Sequence, residues 1–214
     1  MQGALLEIRN LVKEYGEISI LDIPSFSIAK GFYLIQGENG AGKTTFLKIL
    51  AGILPYRGDI ILAPIGSEKL NRIAYRKAVN FAEAEPIYPD FLTGNDLLSF
   101  FERAKGPNFR SRELSNALGV PEYSGKTLKT YSSGMLKKLS LVLSWFGNPR
   151  LLLLDESLIT LDKESIAIFL ELLIKWFKED EHLLILFSTH QVINFDESIL
   201  SGIFKVENKT LNRI

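Results

Sequence analysis

Cysteine is absent from this sequence. The chain therefore forms no disulfide, has no thiolate nucleophile and offers no sulfur ligand to a metal; a cysteine-free chain also suits a reducing cytoplasm. Histidine is nearly as scarce, with His182 and His190 the only two, which argues against a multi-histidine metal site. Net charge is missing as well: 25 Lys and Arg balance 25 Asp and Glu. No global field draws such a chain to nucleic acid or acidic lipid, although a local patch could still bind. Long apolar runs are lacking too. The longest, 139–146 and 183–187, fall far short of the roughly 18 residues a spanning helix needs, so the chain is not expected to cross a membrane. Its first residues, Met1-Gln2-Gly3-Ala4-Leu5-Leu6-Glu7, carry no basic segment followed by an apolar stretch, so no secretory signal is expected. Neither a low-complexity tract nor a repeat is present.

What is present is the composition of an ordinary globular protein: 214 residues, 46% of them hydrophobic and 23% charged, enough for one or two domains with a real core. Residues 4–36 read as short strands punctuated by Gly16, Pro24 and Gly31. Helices are expected over 44–51 and 67–78, the first stopped by Gly52 and Pro55, with a short strand over 79–82. Residues 85–147 offer helices at 92–103, 111–118 and 132–145 and no convincing strand. The pattern then returns to strand, helix and strand at 151–154, 163–178 and 183–187, and ends in a hairpin over 203–214. Strands alternating with helices predict an α/β sheet with parallel strands, interrupted by a helical insertion.

Gly37-Glu38-Asn39-Gly40-Ala41-Gly42-Lys43-Thr44 fits the spacing G-x-x-x-x-G-K-[ST] between a predicted strand and a predicted helix. Glycines allow left-handed turns that bring several N–H groups onto one anion, and the following helix adds its unpaired N–H groups and its dipole. Lys43 would reach the β- and γ-phosphates of a nucleotide, and the Thr44 hydroxyl would bind Mg²⁺. A second feature is the leucine run 151–154, which ends in Asp155 and Glu156. Ligands of such sheets sit beyond the carboxyl ends of the strands. That rim would gather the glycine loop, Asp155 and Glu156, and His190, which follows the strand over 183–187. Asp155 would hold Mg²⁺ through water and Glu156 would take a proton from the attacking water. His182 has no such context and reads as solvated.

With these residues the chain resembles the ATP-binding cassette (ABC) ATPases over nearly its whole length. Tyr131-Ser132-Ser133-Gly134-Met135 is similar to that family's LSGGQ signature at the start of a helix, where Ser132 or Ser133 is also a good N-cap. Tyr15 resembles the aromatic that stacks on adenine, and Thr160-Leu161-Asp162 the loop that touches a partner subunit. The sequence departs from the family at Ser133 and Met135, and at Ala84, which stands where a glutamine is usual. Glu83 and Glu85 flank it, and neither is an amide.

The resemblance implies an α/β P-loop NTPase core with a mostly parallel sheet, an N-terminal antiparallel β-subdomain (1–36) and an inserted helical subdomain (85–147). The nucleotide-binding core would be 37–84 and 148–214, all within one ABC domain. It implies ATP and Mg²⁺ as ligands. Tyr15, Gly37, Glu38, Asn39, Gly40, Ala41, Gly42, Lys43, Thr44 and Thr45 would contact nucleotide, and Thr44 and Asp155 the metal. Glu156, His190 and Lys43 would be catalytic. Ser132 and Gly134 would face the nucleotide of a second subunit, in a head-to-tail homodimer or heterodimer. The expected function is to power a transporter, of the export type, whose membrane subunit is a separate polypeptide. The chain would then lie in the cytoplasm, peripheral on the inner face of the membrane. The apolar stretch 86–92 would form a groove for that partner or belong to the helical subdomain's core. A soluble ABC ATPase acting on translation or DNA, and a nucleotide-binding module that does not hydrolyse, are the alternatives. The basic residues Lys69, Arg72, Arg76 and Lys77 read as a solvated helix face, so no nucleic-acid partner is expected.

Overall fold

The computed structural model describes residues 5–189 and 197–214. Its strands are β1 (Leu6–Tyr15), β2 (Ile18–Ile28), β3 (Gly31–Gln36), β4 (Arg57–Leu62), β5 (Gly66–Ser67), β6 (Val79–Ala82), β7 (Leu151–Asp155), β8 (Leu184–Ser188), β9 (Gly202–Glu207) and β10 (Thr210–Arg213). The α-helices are α1 (Lys43–Leu50), α2 (Arg72–Ala78), α3 (Gly94–Lys105), α4 (Phe109–Ala117), α5 (Ser133–Leu143) and α6 (Lys163–Glu179). A strand of four leucines has no polar face and must be covered on both sides. β7 is buried at every position, and its side chains divide by the period of two. Leu151 and Leu153 join one core with α1 and the antiparallel strands; Leu152 and Leu154 join the other with α5 and α6. β8 repeats the division, with Leu184 and Leu186 on the first side and Ile185 and Phe187 on the second.

β7 and β8 are central in a six-stranded sheet of order β10-β9-β3-β8-β7-β6. Every pairing in it is parallel except the terminal hairpin β9–β10. The second sheet, β2-β1-β4-β5, is antiparallel throughout. It differs from the expectation in two ways. β4 and β5 join it from beyond residue 36, and β3 lies in the parallel sheet instead. The helix expected over 67–78 begins only at Arg72, after the short strand β5 and a turn.

Helices α3 to α5 form the helical insertion, and α5 is buried on most sides. Its attachment to the core includes a polar joint at β6. The Lys105 ammonium, at the end of α3, donates to the Val79 carbonyl (2.8 Å), to the Asn80 side chain (2.7 Å) and to the Arg76 carbonyl. The Asn80 amide in turn donates to the Ser144 and Phe146 carbonyls, each at 2.8 Å. Burial lowers the Lys105 pKa to about 8.

Candidate nucleotide-binding site

Parallel register aligns four strand ends on one rim. Ile35 of β3 and Asp155 of β7 both pair with Ser188 of β8, and Ala82 of β6 pairs with Leu154. The residues that follow these ends are the glycine loop, Glu156, Thr189 and the loop 83–85.

Two glycines in the first loop have specific reasons. A Cβ on Gly37 would lie 2.7 Å from the Val206 carbonyl oxygen, so β9 leaves no room for a side chain. Gly42 has φ 105 and caps α1 without a side chain, which leaves the first N–H groups of that helix uncapped. No acidic residue stands in the first turn of α1. A set of free N–H groups with the positive end of a helix dipole is an anion site. Lys43 is buried, and its ammonium donates to the Gly37 (2.8 Å) and Glu38 (3.0 Å) carbonyls across the loop. Glu38, Asn39, Gly40 and Thr44 are exposed, while Ala41 and Thr45 are half-buried. A cleft of about 520 Å³ opens beside the loop, lined by Ser19, Glu38, Gly40, Ala41, Lys205 and Asn208 among others.

Asp155 is fully buried. One of its oxygens, Oδ1, accepts from the Ser188 hydroxyl at 2.7 Å, and Oδ2 has no hydrogen-bond partner among the described residues. A buried carboxylate oxygen without a partner is costly unless a ligand satisfies it. Mg²⁺ fits this arrangement, because it binds through one or two carboxylates together with phosphate oxygens and water. Among the described residues no group of three or more His, Asp or Glu could hold a metal alone. Glu156, half-buried, takes φ 43, a left-handed conformation that bends the chain off the strand. Its N–H donates to both the carbonyl (3.0 Å) and the hydroxyl (3.2 Å) of Ser188. Ser188 thus orients both acids, a role the sequence reading did not assign. His190 lies outside the described residues. His182 is exposed, as its lack of context suggested.

The loop after β6 carries a second residue that sequence reasoning missed. Lys137 of α5 is 1% exposed, and its ammonium donates to the Glu83 carbonyl (2.6 Å) and to the Ala84 carbonyl. Burial lowers its pKa to about 8, against the opposing pull of Asp155, Glu156, Glu85 and Glu83. From the other side, the Glu83 carboxylate pairs with Lys48 of α1 at 3.1 Å. The stretch 86–92 divides: Tyr88 and Leu92 pack on the helical core, whereas Ile87 is 88% and Phe91 78% exposed.

Ser132 caps α5 by accepting from the Met135 N–H at 3.2 Å, and Ser132 and Ser133 are exposed at its start. A Cβ on Gly134 would stand 3.2 Å from the Thr160 carbonyl oxygen. Lys138, one turn on, pairs with Asp162 at 3.2 Å. Asp162 caps α6 by accepting from the Ser165 N–H and hydroxyl, each at 2.8 Å, and these bonds hold its carboxyl far below the usual range. The start of α5 and the loop 156–162 are therefore one unit. Tyr15 is 47% exposed at the end of β1, with the Lys13 ammonium 4.4 Å from its ring centroid.

Similarity to known proteins agrees with this geometry. The ABC transporter family profile matches residues 21–158. The chain is 32% identical over 219 residues to the cytochrome c biogenesis ATP-binding export protein CcmA of Reclinomonas americana, covering 98% of this chain and 96% of that protein. It is 30% identical over 211 residues to the uncharacterized ABC transporter ATP-binding protein YxlF of Bacillus subtilis, covering 95% and 68%. Among solved structures, an ATP binding subunit of an ABC transporter superposes with a TM-score of 0.85 at 22% identity, covering 98% of this chain and 89% of that one. The chain belongs to the ABC transporter family and has the α/β architecture of its ATP-binding subunits.

Proposed function

We propose that the chain binds and hydrolyses ATP as the motor subunit of an export-type transporter, acting in a head-to-tail dimer. The observation that carries this reading is the rim itself. An uncapped helix start, a buried carboxylate with one unpartnered oxygen and a left-handed Glu156 stand at register-aligned strand ends. The N–H groups of the loop 37–45 bind the phosphates, and Lys43 exchanges its two carbonyl partners for the β- and γ-phosphates. Thr44 and Asp155 would hold Mg²⁺, which supplies charge neutralisation at the phosphates when bound. Glu156 accepts the proton of the attacking water. His190, which follows Thr189 in sequence and lies outside the described residues, would complete the γ-phosphate contacts. Tyr15 would stack on adenine.

Ser132 and Gly134 present the α5 N-terminus to the nucleotide of the opposite subunit, which makes each site composite. The exposure of Ser132 and Ser133 and the lack of an acid in the first turn of α5 support that role. A separate membrane subunit would seat on the helical insertion near Ile87 and Phe91, whose exposure supports it. No helix among the described residues is long and apolar enough to cross a membrane. The export direction draws on the name of the Reclinomonas relative, an ATP-binding export protein. A nucleic-acid role finds less support, because three of the cations near α2 have local partners. Lys69 donates to the Gly58 carbonyl, Arg76 to the Gly52 carbonyl at 2.9 Å, and Arg72 pairs with Glu68 at 4.0 Å.

Light scattering of Glu156→Gln tests the composite site. With ATP and Mg²⁺ the variant should have the mass of a dimer, and with ADP that of a monomer. A monomer under both conditions at high protein and ATP concentration contradicts the dimer.

A further inference from the structure

A lysine buried among carboxylates needs a reason. α5 turns a stripe of Lys137, Ser140, Leu141 and Ser144 inward at the spacing i, i+3, i+4, i+7, and all four are buried. An apolar side chain at 137 would fill that stripe without desolvating a charge. The ammonium instead reaches the two backbone carbonyls of Glu83 and Ala84. It feels Asp155 and Glu156 from β7 and its following turn, and Glu83 and Glu85 from the loop itself. Residue 83 is thus held at its carbonyl by α5, the helix that begins at Ser133, and at its carboxylate by α1, the helix that begins at Lys43. Ala84 between the two acids has no polar side chain to reach either helix or the strand ends.

We propose that Lys137 is the positioning residue of the loop 83–85, tying it through backbone carbonyls to the signature helix in place of a loop side chain. The link joins the loop to α5, and the Glu83–Lys48 pair joins it to α1, within one chain. When α5 moves, the loop that leads into the helical insertion moves with it, and so does its distance from Asp155 and Glu156. Loss of the ammonium frees the carbonyls of Glu83 and Ala84.

The inference rests on the hydrolytic reading for one readout and is independent of it for the other. Full-length wild type, Lys137→Met and Lys137→Arg are compared by amide hydrogen exchange over residues 82–86 and by steady-state MgATP hydrolysis. Lys137→Met, nearly isosteric but without donors, should lose protection across the loop. Its kcat should fall about 10- to 100-fold, while KM and the equilibrium affinity for ATP stay near the wild-type values. Lys137→Arg restores charge and donors and should recover most of both losses. Unchanged exchange and kcat in Lys137→Met overturn the proposal. So does a rise in KM alone, which would mark a binding contact, or an Arg variant no better than Met. If Lys137→Met does not fold, Lys137→Leu, which also lacks donors, takes its place with the same expectations. A wild type that does not hydrolyse ATP defeats the hydrolytic reading only, and the exchange measurement still decides the positioning role.

Discussion

Replacing Ser188 with alanine should weaken both the fold and the proposed metal site, by amounts the geometry sets. The side chain is fully buried, and its hydroxyl donates to Asp155 Oδ1 at 2.7 Å. The other carboxylate oxygen already lacks a partner among the described residues. Ser188→Ala therefore leaves a buried carboxylate with neither oxygen paired from that side. Glu156 loses less, because its N–H keeps the Ser188 carbonyl at 3.0 Å. A hydrogen bond to a charged group contributes about 1.5–3 kcal/mol. For a chain of 214 residues, each kcal/mol moves Tm by about 2–4 °C, so the expected loss is roughly 3–12 °C. Calorimetry in magnesium-free buffer reads it. Ser188→Thr keeps the hydroxyl on a residue that favours strands and should melt close to wild type. The same bond orients Asp155, so the magnesium concentration needed for half-maximal hydrolysis should rise about 10- to 100-fold in Ser188→Ala. A variant with an unshifted melting curve and an unshifted magnesium requirement refutes the claim that Ser188 sets the carboxylate.

Three further outcomes are expected. Lys105 and Lys137 are charged in both folded and unfolded chains below pH 8; between about 8 and 10.5 only the unfolded chain keeps those protons. Stability to urea should therefore rise from pH 8 toward 10, and Lys105→Met should flatten the rise; above pH 10 buried tyrosines such as Tyr75 and Tyr88, whose pKa values burial raises, reverse it. Ala84→Gln, which offers an amide beside the γ-phosphate, should increase hydrolysis by the isolated chain; a rate unchanged by Ala84→Gln but sharply lowered by Glu85→Ala would assign the loop's contact to Glu85. Gly37→Ala places a methyl 2.7 Å from the Val206 carbonyl oxygen, and φ 152 disfavours any side chain, so it should weaken nucleotide binding and lower the melting temperature together.

Local signals carried much of this architecture. The alternation of strands and helices, the glycine loop between β3 and α1, and the leucine strand β7 with its two acids were legible because each depends on neighbours in sequence. β6 was found at its observed limits, and the terminal hairpin within a residue. β4 was not read. Its Arg57-Gly58 start is polar, and its partner β1 lies more than forty residues earlier, so pairing rather than propensity makes it a strand. The same non-local pairing moved β3 out of the antiparallel sheet. At the site, the orienting role of Ser188 was not legible because it follows from register with Asp155, which only the folded sheet fixes. Lys137 left one sequence trace, a lysine at the head of an inward stripe of small and apolar residues. Its partners are backbone carbonyls, which no sequence pattern displays.

The most direct measurement follows bound ATP and released phosphate in the same samples of wild type, Lys43→Ala and Glu156→Gln, with magnesium present. A clean separation is expected. Wild type binds ATP and releases phosphate, and Lys43→Ala loses binding. Glu156→Gln binds ATP like wild type but releases phosphate about 10²- to 10⁴-fold more slowly, the usual contribution of a general base. Phosphate release by Glu156→Gln at the wild-type rate would contradict it.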